Sequence, residues 1–244
     1  MAETYTNIAR WVLKLGFSDA IFKGSLLVFN ILMVTILSDV EVSQHVLLLT
    51  ISLILYQVIE FGCTTKVLEL LKAKTAFEIA QDILTIRLIN FTIALLPAIL
   101  LIKLFSSYSN LYISVADIML IFFYILSLLL NLDVLSIYHR ESKRILNAGI
   151  RGGLALLFGL IVTSFYKSHI ASFTALTFAS FVYSNHLLQN ITIKQKLYKL
   201  LQPHKYVTLL KSNLRVAEVS VINAAHIQLP MLIVTTFSSP SVVS

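Results

Sequence analysis

Seven apolar stretches of near membrane-spanning length divide the 244-residue chain: residues 20–37, 46–61, 84–102, 111–135, 149–166, 170–189 and 216–237. A bilayer core takes about 20 apolar residues per helix. No water reaches a backbone inside hydrocarbon, so each stretch must satisfy its own amides as a helix. The basic residues fix the orientation. The N-terminus and the connections two–three, four–five and six–seven hold 17 of the 19 Lys and Arg, and the other connections hold only Lys103 and Lys167. Short basic connections stay in the cytoplasm. The expected fold is therefore all-α, a polytopic transmembrane bundle of about seven helices. Its N-terminus is expected to be cytoplasmic and its C-terminus external.

Composition agrees. The chain is 57% hydrophobic and 13% charged, with a mean hydropathy of +0.85. That excludes a disordered chain. The net charge of +7 would suit nucleic acid, but the basic residues sit beside helix ends, where anionic lipid heads meet them. No nucleic-acid partner is expected; membrane lipids are. Cys63 is the single cysteine, so there is no internal disulfide and no cysteine-rich metal site. Four segments follow: 1–19 as an interfacial amphipathic helix with Trp11 as anchor, 20–190 as a six-helix transmembrane lobe, 191–215 as a basic cytoplasmic linker, and 216–244 as a seventh helix with a short external tail. The charged connection 64–81 is expected to continue helically. Pro97 and Pro230 interrupt helices three and seven, where each removes a backbone donor.

Polar residues inside a membrane are expensive and usually face the bundle or a wet cavity. Here they recur at helical spacing: Lys23 and Asn30; Thr50, Gln57, Glu60 and Thr64; Arg87 and Asn90; Asp117, Tyr124 and Asn131; Arg215, Glu218 and His226. Two readings stay open for Lys23, Arg87, Arg151 and Arg215. They line a cytoplasm-facing cavity for an anionic substrate, or they snorkel to the inner interface. Glu60 reads as a cavity carboxylate or an interfacial cap. Asp117 is expected about 9 Å inside the outer boundary, at ~1.5 Å per residue. His226 is a proton carrier or a packing histidine. Gly149, Gly153, Ala155 and Gly159 give small-xxx-small spacing for close helix packing. The chain contains no phosphate-binding loop, no nucleophile elbow and no metal-spaced histidine pair, so no enzyme, cofactor or metal is expected.

The element Ile59-Glu60-Phe61-Gly62, followed by a charged helical segment leading to Arg87, resembles the bacterial O-antigen and capsular polysaccharide flippases. The stretches Asn131-Leu-Asp133, Asn147-Ala-Gly-Ile-Arg151 and Leu209-Leu-Lys-Ser-Asn213 are also similar to that family. It belongs to the multidrug/oligosaccharidyl-lipid/polysaccharide exporter superfamily, whose members usually have two lobes of six helices. This chain holds an N-terminal lobe and a seventh helix. The resemblance implies a bacterial inner-membrane flippase, truncated or half-size, that moves a lipid-linked oligosaccharide of the undecaprenyl-pyrophosphate type to the outer leaflet. It implies alternating access and a second half-transporter or a homodimer as partner. It puts Lys23, Arg87 and Arg151 in the anion-binding role and Glu60 and Asp117 in ion coupling. Two other classes remain: a non-transporting membrane fragment or assembly partner, and a glycan-assembly membrane enzyme. The short outer connections disfavour the enzyme.

Overall fold

A computed structural model of the chain describes residues 20–70, 75–108, 113–132, 142–192 and 201–237. All regular structure among them is helical. The helices are α1 (Ala20–Ile36), α2 (Asp39–Glu60), α3 (Cys63–Leu70), α4 (Ala76–Tyr108), α5 (Val115–Leu129), α6 (Ser142–Tyr166), α7 (His169–Thr192) and α8 (Tyr206–Phe237). A 3₁₀ turn, Pro203–Lys205, leads into α8. The expected interfacial helix at 1–19, the linker residues 193–200 and the tail 238–244 lie outside the described residues.

Among the described residues, three helices are long and apolar enough to cross a membrane: Asp39–Glu60, Phe77–Lys103 and Lys143–Tyr166. Ala20–Ile36 and Val115–Leu129 are apolar but shorter. The protein is a membrane protein by these lengths and compositions. Its burial pattern agrees. Large apolar side chains face out, among them Leu96, Phe123, Phe158 and Phe165, while Thr50, Ser52, Ser127, Thr163, Ser172 and Ser180 are buried. Lipid rather than water suits such a surface. Several buried hydroxyls satisfy themselves on their own helix, as Ser52 does on the Leu48 carbonyl at 2.7 Å and Thr163 on that of Gly159 at 2.8 Å.

α2 is central, touching α4, α5, α7 and α8, and α6 pairs with α7. The main core runs through Phe29, Met33, Leu48, Ile121, Ile125, Phe173 and Leu176. At Gly159 the α6–α7 approach is so close that an added Cβ would lie 2.3 Å from that of Ala175. This is the packing role expected of the small-residue stripe.

Helix boundaries depart from the apolar stretches where capping residues decide them. α5 starts at Val115, four residues after its stretch, because Ser114 and Asp117 form a capping box. Asp117 is therefore in the first turn of its helix and not deep within it. Thr75 and Glu78 do the same for α4: the Thr75 amide and hydroxyl both donate to Glu78 Oε2 at 2.8 Å. α4 thus begins eight residues before its apolar stretch. α8 is continuous from Tyr206, so the last ten residues of the expected linker are helical.

Candidate functional site

Ionisable groups gather at the two ends of α2. At its C-terminal end, Phe61 (φ 54°) and Gly62 (φ 69°) both take left-handed backbone and break the helix. Gly62 is required twice over, since a Cβ there would come within 2.9 Å of the Ala217 nitrogen on α8. The break turns α3 back so that Glu60 caps its start. The Thr64 amide (2.5 Å) and hydroxyl (2.6 Å) both donate to Glu60 Oε1. Thr64 thus belongs to α3, and its expected place on the α2 stripe comes from this turn instead.

Arg87 of α4 completes the cluster. Its Nη2 donates to Glu60 Oε1 at 3.2 Å and to Thr64 Oγ1 at 2.8 Å. Its Nη1 donates to the carbonyls of Leu129 (2.9 Å) and Asn131 (2.8 Å), at the end of α5. The last carbonyls of a helix look for donors outside it. The Glu60 and Arg87 side chains are only 5% and 3% exposed, and Arg87 Nε is buried with no partner among the described residues. Beside them, Asn90 donates to the Ile59 carbonyl at 3.0 Å and accepts from the Tyr206 hydroxyl at 2.6 Å. Gln202 bonds to Thr85 and Gln81. The start of α8 is thereby pinned to α4. Cys63 sits underneath, and burial first and the Glu60 charge second push its thiol up to about 12.

The other basic candidates lie at the same end but on other helices. Phe22 of α1 stacks on Tyr183 of α7, with centroids 4.4 Å apart, and it also meets Gly152 of α6. Lys23 and Arg151 are the sequence neighbours of this contact, and both are exposed. Arg151 Nη1 is 3.2 Å from His186 Nδ1 of α7. From this level an apolar groove of about 180 Å³ runs along α1 and α6, lined by Ser25, Val28, Phe29 and Leu32 and by Gly153, Leu156, Leu157 and Leu160. A larger cavity of about 440 Å³ lies between α6 and α7, and neither lining includes a charged residue.

At the opposite end of α2, about 28 Å away at ~1.5 Å per residue, a second cluster joins three helices. His169 opens α7. Its Nδ1 lies 2.7 Å from Glu41 Oε2 on α2, and its Nε2 lies 3.0 Å from Asp117 Oδ1 on α5. The His169 amide also donates to Glu41 Oε2. Asp117 Oδ2 accepts from the amide and hydroxyl of Ser114, both at 2.8 Å. Below, Ser172 Oγ is 2.8 Å from His45 Nδ1 and donates to the His169 carbonyl.

Of the five sequence candidates, the structure pairs Glu60 with Arg87, puts Lys23 and Arg151 at one level, and sends Asp117 to the far end. Arg215, Glu218 and His226 are exposed along α8. Sequence reasoning missed Glu41 and His169. The available signal was that Glu41, Asp117 and His169 all fall at the outer ends of apolar stretches. No family model, no curated protein and no solved structure matches the chain.

Proposed function

We propose that this protein is a membrane translocase for an anion-headed lipid. Its cargo is a lipid-linked oligosaccharide repeat unit of the undecaprenyl-pyrophosphate type, moved from the inner to the outer leaflet of the bacterial inner membrane. The observation that carries this reading is that α1 and α6, the helices that line the apolar groove, also carry the exposed Lys23 and the Arg151–His186 pair at the end where the groove starts. Cationic side chains suit pyrophosphate, and guanidinium matches phosphate geometry. The groove below suits an isoprenoid chain. The orientation follows the basic connections, with the Glu60 end in the cytoplasm.

Arg87 takes a different part in this scheme. Its four terminal N–H groups are directed at Glu60, Thr64 and the end of α5. It is a positioning residue that holds α2, α4 and α5 in register. Glu60 holds that guanidinium, and an ion-coupling role falls instead on the Asp117 end.

Complementation tests this. A strain lacking its polysaccharide flippase would express the chain, and surface glycan would be measured. Wild type should restore glycan, and Lys23→Ala with Arg151→Ala should lower it by roughly tenfold at equal membrane expression, on the scale of two lost charged contacts. Full glycan from the double variant would overturn the anion site. No glycan from well-expressed wild type would overturn the translocase reading and favour an assembly partner.

A further inference from the structure

We propose that Glu41, His169 and Asp117 form a proton-binding latch that ties α2, α5 and α7 together at the outer end and opens when its proton is released to external water. Both ring nitrogens of His169 face carboxylate oxygens, at 2.7 and 3.0 Å. A neutral imidazole has one N–H, and only imidazolium has two. With both carboxylates ionised, the bridge therefore needs the charged form. Losing that proton removes one of the two bonds and turns a lone pair toward a carboxylate. The net charge of the triad then goes from −1 to −2.

The path for the proton is built in. The Glu41 side chain is 28% exposed, whereas that of Asp117 is 3% exposed. His169 thus stands between a water-facing and a buried carboxylate, and exchange with solvent runs through the Glu41 side. Among the described residues, the other titratable and charged groups at this end of the packed elements are Asp39 and His45 on α2, Asp117 on α5, and Tyr166 and Lys167 before α7. His45 reaches the His169 carbonyl through Ser172. His45 Nε2 is buried and has no hydrogen-bond partner among the described residues.

His169 precedes the apolar stretch 170–189, in the connection outside the spanning segment. Burial by itself would pull its imidazole below the ordinary 6.5. The hydrogen bonds and charges of Asp117 and Glu41 outweigh that and hold it above. A raised histidine contributes fully below its unfolded value of 6.5 and loses its contribution as pH rises through the higher folded value. The latch is accordingly closed in acid and open in alkali. In a transport cycle, which rests on the translocase reading above, an external proton would close the empty outer end and return the anion site to the inner face.

The test uses the full chain in liposomes, in a Cys63→Ser background. Ser172→Cys places a thiol directly beneath the latch, on the His169 face of α7, and an impermeant maleimide reads its exposure. Rates are normalised to Ser38→Cys, an exposed position, to remove the thiol's own pH dependence. The normalised rate should rise roughly tenfold between pH 6 and pH 9 (about 1.4 kcal/mol) and should be flat with His169→Gln. A flat profile with His169 present overturns the latch. Side-chain nitrogen NMR of the wild-type chain gives an independent reading. A doubly protonated His169 above pH 7 supports the latch, and a neutral ring at pH 6 overturns it. Neither measurement involves substrate. A failed latch therefore leaves glycan complementation untouched, and failed complementation leaves the latch standing.

Discussion

Removing Glu60 should leave the Arg87 guanidinium buried and short of the Glu60 carboxylate. Both side chains are at most 5% exposed, so water screens the pair little. Truncating one partner of a buried pair costs about 3–5 kcal/mol. Arg87 would keep Thr64 Oγ1 and two carbonyls, which puts Glu60→Ala near the lower figure, about 3 kcal/mol. Arg87→Met removes the charge but orphans the Leu129 and Asn131 carbonyls. At about 1–3 kcal/mol for each buried unsatisfied group, that loss is about 4 kcal/mol. In the double variant the charge mismatch disappears while the orphaned carbonyls remain. The two effects should fall short of their sum by at least ~1.5 kcal/mol, as contacting residues in one network do. Reversible unfolding in mixed micelles, followed by helical circular dichroism, measures all three variants. Additivity within about 0.5 kcal/mol would refute the claim that the pair acts as one unit.

Gly62→Ala should cost about 1–3 kcal/mol, from a left-handed backbone and a Cβ 2.9 Å from the Ala217 nitrogen; an unchanged midpoint in the same unfolding assay would refute this. Gly159→Val should cost about 1–3 kcal/mol by forcing α6 from α7, and Ala175→Gly should recover part of the loss. The Cys63 thiol, pushed up to about 12 by burial and then by Glu60, should hold almost no thiolate at pH 8. Iodoacetamide should therefore label it only after unfolding, and rapid labelling of the folded chain would contradict that environment. Alkaline phosphatase fused after residue 108 or 166 should be active in cells, and after residue 70 inactive; the opposite pattern would reverse the proposed orientation.

The helices were legible because hydrocarbon leaves no alternative to internal backbone pairing. Long apolar runs announce themselves on that ground alone. Their ends were less legible, because capping is a local side-chain matter. Ser114 and Asp117 were present to be read as a capping box, but an aspartate inside an apolar run drew attention as a buried charge. Arg87 and Glu60 were both singled out, yet their pairing depends on the break at Phe61 and Gly62, which brings α3 and α4 together. Periodicity along one helix carries no information about that turn. His169 was not singled out because its partners are 128 and 52 residues away in sequence. Only the antiparallel helix order, which starts α2, α5 and α7 at one level, makes those separations short.

The two clusters divide their labour by chemistry. α2 and α5 contribute to both, through Glu60 and the Leu129 carbonyl at one end and through Glu41 and Asp117 at the other. The third member differs. At the Glu60 end it is an arginine, which does not lose its proton in a protein. That link is permanent at any physiological pH and makes α2, α4 and α5 one unit. At the Glu41 end it is a histidine, the side chain whose charge changes near neutrality. Only there can α7 be released from α2 and α5 without unfolding. α7 carries the Arg151 partner His186 and packs along α6, so releasing its first turn bears on a helix of the proposed anion site. A bundle fixed by arginine at one end and held by a proton at the other has one end free to open, which is the asymmetry an outward-opening step requires.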